Sequence, residues 1–253
     1  MAIYAIHQQD PKFIIIINYK VMYSSLYEIL PTHFPEMKFH HKNSAAKFNF
    51  HDFPKFSIVR NPFSRVVSTF YGKCRKSPEI SLIQETAQLE YCQHQLLQTL
   101  NKIRNKTYAI AEPANSYTLK ENPDNRALLN ENFKLLMGIS FPEYVESLTL
   151  ILKNKRVDGH FQKQFGAFSV PHQNPFYFPS KFFRNTQIIK IENIDQDWKI
   201  LCNQLDKEIV LIKTNRTDDI RPSTESFYTD QIRKQVAELY KIDFKKFNYP
   251  LHF

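Results

Sequence analysis

The 253-residue chain carries 34 Lys and Arg against 25 Asp and Glu, a formal net charge of +9, and is rich in Phe (22) and Tyr (13) but poor in Gly (4). Scarce glycine excludes the Gly-rich nucleotide loops: neither G-x-G-x-x-G nor G-x-x-x-x-G-K-[ST] occurs. The length suits one α/β domain over 1–253 and does not demand two, and the basic surplus favours a polyanionic partner without naming it.

Cys74, Cys92 and Cys202 are odd in number, far apart and without a C-x-x-C, which argues against a disulfide scaffold and a structural zinc site. The longest apolar run, Phe13 to Ile17, is too short to span a bilayer, and no basic n-region with an h-region precedes it. A soluble protein of a reducing compartment, the cytoplasm, is expected.

Lys12 to Asn18 reads as a central strand covered on both faces. Tyr19-Lys20-Val21-Met22-Tyr23-Ser24-Ser25-Leu26 follows, then a short helix that should stop by Pro31. A strand, a tight loop with a lysine and hydroxyls, and a helix outline a phosphate-cradling turn, in which backbone N–H groups and a lysine charge hold the anion. Met22 and Tyr23 bring bulk where close backbone approach favours small residues, and Ser25 to Glu28 also matches a capping box that explains the serine without a ligand.

His40 and His41, between Lys38 and Lys42, read as exposed residues of a basic loop or as a general base, since histidine near its ordinary pKa can take a hydroxyl proton. His51 is a weaker candidate.

Phe56 to Val59 is a buried strand ending on Arg60. Asn61 is placed to cap a helix whose first position is Pro62, and Phe63, Val66, Val67, Phe70 and Tyr71 form its apolar stripe. The other face carries Asn61, Ser64, Arg65 and Ser68, a solvated face if no ligand binds. An arginine at a strand's carboxyl edge beside a helix N-terminus makes an anion site.

A helix is expected over about Ser81 to Arg104. Residues 105–132 are polar, contain two prolines, and read as a long loop bordering an acceptor site. Ser140 to Glu143 is a capping-box pattern opening a helix with Tyr144, Val145, Leu148 and Leu152 on its apolar face. Val157 to Gln164 follows, holding His160 and Phe161. Thr186 to Glu192 is a third buried strand leading to an N-capped helix at Asn193 to Trp198, and Ile232, Val236, Leu239 and Tyr240 form a closing helical stripe.

The segment Arg60-Asn61-Pro62-Phe63-x-Arg65-x-x-Ser68 resembles the 3′-phosphate-binding motif of the membrane-type, carbohydrate-modifying (family 2) sulfotransferases, which use 3′-phosphoadenosine-5′-phosphosulfate (PAPS). The loop Lys20 to Leu26 resembles their 5′-phosphosulfate loop, His160-Phe161-x-x-Gln164 their His-(Trp/Phe)-x-x-Gln segment, and Glu192-Asn193-Ile194 with Asp197-Trp198 their Glu-Asn-(Leu/Ile) and Asp-aromatic elements. Asn215-x-Thr217, Tyr228, Asp243-Phe244 and Tyr249 match their ending.

The resemblance implies a P-loop-NTPase-like α/β fold with a mostly parallel central sheet flanked by helices, as the strand–helix alternation also indicates. It implies PAPS as donor and PAP as product, with no metal, and a hydroxyl-bearing acceptor, a carbohydrate by default; neither nucleic acid nor a membrane span is expected. Lys20, Tyr23, Ser24, Ser25, Leu26, Arg60, Ser68 and Asn215 would hold the donor, and His160 and Gln164 the acceptor. His41 or His40 would be the base and Lys20 would stabilise the leaving phosphate; Glu192 and Asp197 would brace the phosphate loops. A P-loop-like kinase and a degenerate nucleotide- or glycan-binding homologue are the alternatives.

Overall fold

A computed structural model of the chain describes residues 3–41, 53–75, 89–111, 113, 123–154, 157–168, 183, 185–211 and 222–252. Among them, five strands form one open sheet: β1 (Ile3–His7), β2 (Phe13–Ile17), β3 (Lys38–His41), β4 (Lys55–Val59) and β5 (Thr186–Lys190), in the order β3-β1-β2-β4-β5. β2 pairs in parallel with β4, and β4 with β5, whereas β1 is antiparallel to both β2 and β3. The sheet is therefore mixed, which corrects the expectation of a mostly parallel one. Only residues 8–12 join β1 to β2, too few for the crossover of a dozen or more residues that parallel neighbours need. β3, whose sequence read as a basic loop, is a short edge strand, where lysine and histidine discourage further pairing.

The helices are α1 (Tyr23–His33), α2 (Pro62–Phe70), α3 (Tyr91–Ile103), α4 (Pro123–Met137), α5 (Phe141–Ile151), α6 (Ile194–Leu205), α7 (Asp230–Leu239) and α8 (Lys241–Phe247). α1 runs through Pro31 instead of stopping before it. Leu30 and Phe34 are 0% and 2% exposed, so core packing outweighs the hydrogen bond that proline forfeits. α3 begins at Tyr91, with Leu89 and Glu90 outside it, and α4 occupies part of the predicted 105–132 loop. No helix among the described residues is long and apolar enough to cross a membrane.

The chain forms two compact units, Met1–Arg65 with Gln162–Arg221 and Tyr240–Phe253, and Val66–Phe161 with Pro222–Leu239; the division falls inside α2. In the first, the sheet is covered on both faces. Ala5, Ile15, Ile17, Phe56, Ile58 and Ile189 pack with α1 and α6 on one side. Tyr4, Ile6, Ile14, Ile16 and Val59 pack with Phe168 and Phe247 on the other. All five residues of β2 are fully buried, as their unbroken apolar run requires. In the second unit α3 packs on α5, and Phe70, Phe141, Tyr144, Phe227 and Tyr228 form an aromatic cluster.

Candidate active site

β2 ends at Ile17, and the next residue ties the first turn to the neighbouring strand: Asn18 Nδ2 donates to the Ile58 carbonyl at 3.3 Å. Val21 N–H closes the turn on the Asn18 carbonyl at 3.3 Å. Lys20 (φ 64°) and Met22 (φ 53°) both adopt the left-handed conformation, which costs a non-glycine residue about 1–2 kcal/mol; such strain concentrates at functional loops. Met22 is the N-cap of α1 and makes no side-chain cap bond. Ser25 consequently lies inside the first helical turn, and the capping box predicted from Ser25 to Glu28 does not form. Helical geometry leaves the N–H groups of Tyr23 to Ser25 without acceptors inside the helix, at the positive end of its dipole.

Met22 packs against the core cluster beneath α1, so its part of the bulk anticipated over this turn is directed into the core. Ser24 is exposed and Lys20 half-buried, while Ser25 is 4% and Leu26 0% exposed. Leu26, proposed to touch the donor, has its side chain in the hydrophobic core; the Tyr23 side chain and Asn215 lie outside the described residues.

The second turn is built differently. Asn61 caps α2 as predicted: its Oδ1 accepts the Phe63 N–H at 2.9 Å and its carbonyl accepts the Arg65 N–H at 2.9 Å. Glu192 Oε1 accepts the Asn61 N–H at 2.7 Å, and Gln164 Oε1 accepts the Arg60 N–H at 2.9 Å. With Pro62 lacking an N–H, the amides of residues 60, 61 and 63 already serve protein acceptors. These amides are therefore not offered to an anion, contrary to the expectation of a bare helix N-terminus, and the Arg60 Nε donates to Ser64 Oγ at 3.2 Å. The polar face is solvated only in part: Asn61 and Ser64 are half-buried, whereas Arg65 is 2% and Ser68 9% exposed. Arg65 Nε donates to the Tyr19 carbonyl at 3.3 Å, a direct tie between the two turns.

Glu192 also accepts from Tyr249 Oη at 2.8 Å, and burial first, then the Glu192 charge, pushes the Tyr249 phenol up. Lys190 Nζ lies 4.5 Å from the centre of the Tyr249 ring. Asp197 accepts the Lys190 N–H at 2.9 Å. The two acidic residues read as loop braces thus hold main-chain N–H groups at the carboxyl end of β5 and at the start of α2.

Gln164, expected near the acceptor, is 1% exposed, and its Nε2 donates to the Arg60 carbonyl at 2.7 Å while its Oε1 holds the Arg60 N–H. The backbone N–H groups of Gln164 and Phe165 both end on the Asp243 carboxylate at 2.8 Å. Asp243 is fully buried, which pushes its carboxyl above the usual range against the pull of those amides and Arg65. Sequence reading matched Asp243 to a family ending but missed this bracing role, because the partners are distant in sequence.

His41 closes β3 in the cross-strand row that continues through Ile3, Ile17, Ile58 and Ile189. It is exposed at the same sheet edge as the Lys20 turn, two strands or about 10 Å from Ile17. Strand alternation puts it on the face of Phe39, whose ring meets Tyr27 of α1 at 4.3 Å. His40 points to the other face; burial and then Lys38 lower its pKa. His51 lies outside the described residues.

His160 falls in the second unit, where its Nδ1 meets Asp158 Oδ1 at 2.6 Å. Glu90, Cys92 and His160 bring ligand-type atoms within 4.8 Å of one another, a grouping that sequence distance concealed. Lys73 Nζ holds both Glu90 oxygens, at 2.6 and 2.5 Å, so the carboxylate is already neutralised by an ammonium. All three cysteines are free.

Two β–α turns leave one end of the sheet side by side, one with a lysine and a helix start that lacks a side-chain cap, the other with an arginine whose main chain is braced by Gln164. A family model described as "Sulfotransferase family" matches residues 18–250, and the chain belongs to that family. No curated protein and no solved structure matches the chain.

Proposed function

We propose that the protein transfers a sulfuryl group from PAPS to a hydroxyl of a carbohydrate acceptor. The observation that carries this reading is the adjacency of the two turns on parallel neighbours β2 and β4, joined by the Arg65–Tyr19 hydrogen bond. One ligand with phosphates at both ends of an adenosine spans such a pair. The 5′-phosphosulfate sits on the turn from Lys20 to Ser25, against N–H groups and the Lys20 ammonium. The 3′-phosphate sits at Arg60 and Ser68 on the second turn and its helix, with Asn215 as a further donor contact.

The acceptor hydroxyl attacks sulfur in line, forming the new O–S bond as the bond from sulfur to the 5′-phosphate oxygen breaks. PAP leaves with the charge, which Lys20 stabilises. His41, at the edge of the same sheet end, takes the hydroxyl proton; His40 is the second choice because it faces the opposite side. Positioning and electrostatics supply most of the rate, as in phosphoryl transfer. His160 is proposed on the acceptor side, and Gln164 acts on the donor side through Arg60. No step requires a metal, and the whole chain is read as one catalytic domain.

A thermal-shift titration with PAP, AMP and ATP tests the reading. A ligand that binds only the native state at a hundred times its Kd stabilises it by about 2.7 kcal/mol. PAP should raise the melting temperature well above AMP or ATP, and Lys20→Ala and Arg60→Ala should each abolish that shift. Equal shifts with ATP, or turnover persisting in either variant, would overturn the assignment in favour of a kinase-like or unrelated site.

A further inference from the structure

We infer that Gln164 is a positioning residue for recognition of the donor's 3′-phosphate, acting through the main chain of Arg60, with Asp243 holding Gln164 in place. The inference rests on the assignment of Arg60 above. Arg60 is the first residue beyond the β4 ladder, whose last pair is Val59 with Lys190. Its peptide groups are past the point where strand pairing would restrain them, so rotation there would swing the guanidinium away from a bound anion.

Gln164 supplies the missing restraint. Its carboxamide receives the Arg60 N–H at 2.9 Å and donates to the Arg60 carbonyl at 2.7 Å, replacing the pairing that a further strand residue would provide. Among side chains of this length, glutamine presents one acceptor and one donor side by side; glutamate and methionine do not. The brace is itself braced: both oxygens of the fully buried Asp243 are used at 2.8 Å by the N–H groups of Gln164 and Phe165. Glu192 fixes the next amide, at Asn61, at 2.7 Å. Two side chains thus hold two consecutive residues and a third holds the backbone of one of the two, a supporting shell of the kind that keeps a binding group within a fraction of an ångström.

The test compares PAP with AMP, which lacks only the 3′-phosphate, by calorimetric titration of the wild type, Gln164→Glu and Gln164→Asn. Glutamate keeps the acceptor but sets a carboxylate against the Arg60 carbonyl; asparagine keeps the amide and loses reach. Each variant should lose about 10–100-fold in PAP affinity, the range set by losing one hydrogen bond to a charged group, while AMP affinity changes less than about threefold. A purely structural role would weaken both nucleotides alike, and that result, or an unchanged ratio, overturns the inference. A wild type that does not prefer PAP sinks the Arg60 assignment itself, whereas a preference surviving in the variants sinks only the role of Gln164. In the unaltered chain the Arg60 amide should exchange slowly before any nucleotide is added; exchange at the rate of an unprotected peptide overturns the brace even if neither variant folds.

Discussion

Replacing Glu90 by glutamine should cost the protein about 1–3 kcal/mol. Glu90 precedes α3, and both its carboxylate oxygens take the ammonium of Lys73, which is 9% exposed against 49% for Glu90. Breaking a fully buried pair costs about 3–5 kcal/mol because a charge is left without a partner, and an exposed pair is worth about 1 kcal/mol or less. This pair has one buried and one half-exposed partner, hence the intermediate value. Glutamine keeps the size of the side chain and the Gln93 Oε1 contact to the Glu90 N–H at 3.0 Å, but replaces one of the two oxygens that serve Lys73, the Gln93 N–H and Cys92 by a donor, so the loss combines the charge with those acceptor contacts. For a chain of this size each kcal/mol moves the melting temperature by about 2–4 °C.

Lys73 lies in the π-helical turn Tyr71–Arg75 that continues α2, the helix carrying Ser68, and loosening it should fray that end of the helix. Urea unfolding of wild type, Glu90→Gln, Lys73→Met and the double variant measures the coupling directly. The double variant should recover at least about 1 kcal/mol of the summed losses. A Glu90→Gln loss under about 0.5 kcal/mol, or strict additivity in the cycle, would refute the reasoning.

Other expectations concern acidity, thiols and the base. Arg104 above all, with Ser140, holds Glu143 down to about 2. A depressed carboxylate pKa stabilises the fold above its unfolded value near 4.5 and loses that contribution as pH falls toward 2. Arg104→Ala should therefore cost about 1 kcal/mol at pH 7 and progressively less in acid, read by unfolding at several pH values; a pH-independent loss contradicts the pairing. Burial pushes the Cys74 thiol up to about 12 and raises Cys92 as well, whereas Cys202 is half-buried. Thiol reagents should label Cys202 first in the native protein and reach the other two only on unfolding, as peptide mapping would show. His41→Asn should abolish transfer while leaving PAP binding intact, and His40→Asn should be mild, as turnover and PAP titration of each variant would show. Full activity in His41→Asn removes it as the base.

Much of the candidate site was legible along the chain because it is local. The Asn61 cap, Pro62 at the first helical position and the Phe63–Val66–Val67–Phe70 stripe depend on residues within a few positions, and the structure reproduces them. The capping box at Ser140 and Glu143 held for the same reason. The Ser25 capping box failed because α1 starts at Tyr23, three residues before the start that a cap at Ser25 requires, where the left-handed Met22 turns the chain. Pro31 was overridden by the burial of its neighbours, and β3 looked like a basic loop because edge strands tolerate charge.

The order of the residues was enough to establish the family, the two β–α turns and the caps at Asn61 and Ser140, since each rests on motif spacing or on contacts within one turn of helix. Tertiary structure alone decided the antiparallel β1 and the resulting mixed sheet, the conversion of α2's N-terminal amides into protein-held groups, and the inward turn of Gln164, Arg65 and Asp243. Those outcomes depend on which distant segments supply hydrogen-bond partners to buried main-chain groups, and a buried N–H or carbonyl must find one wherever the fold brings it near.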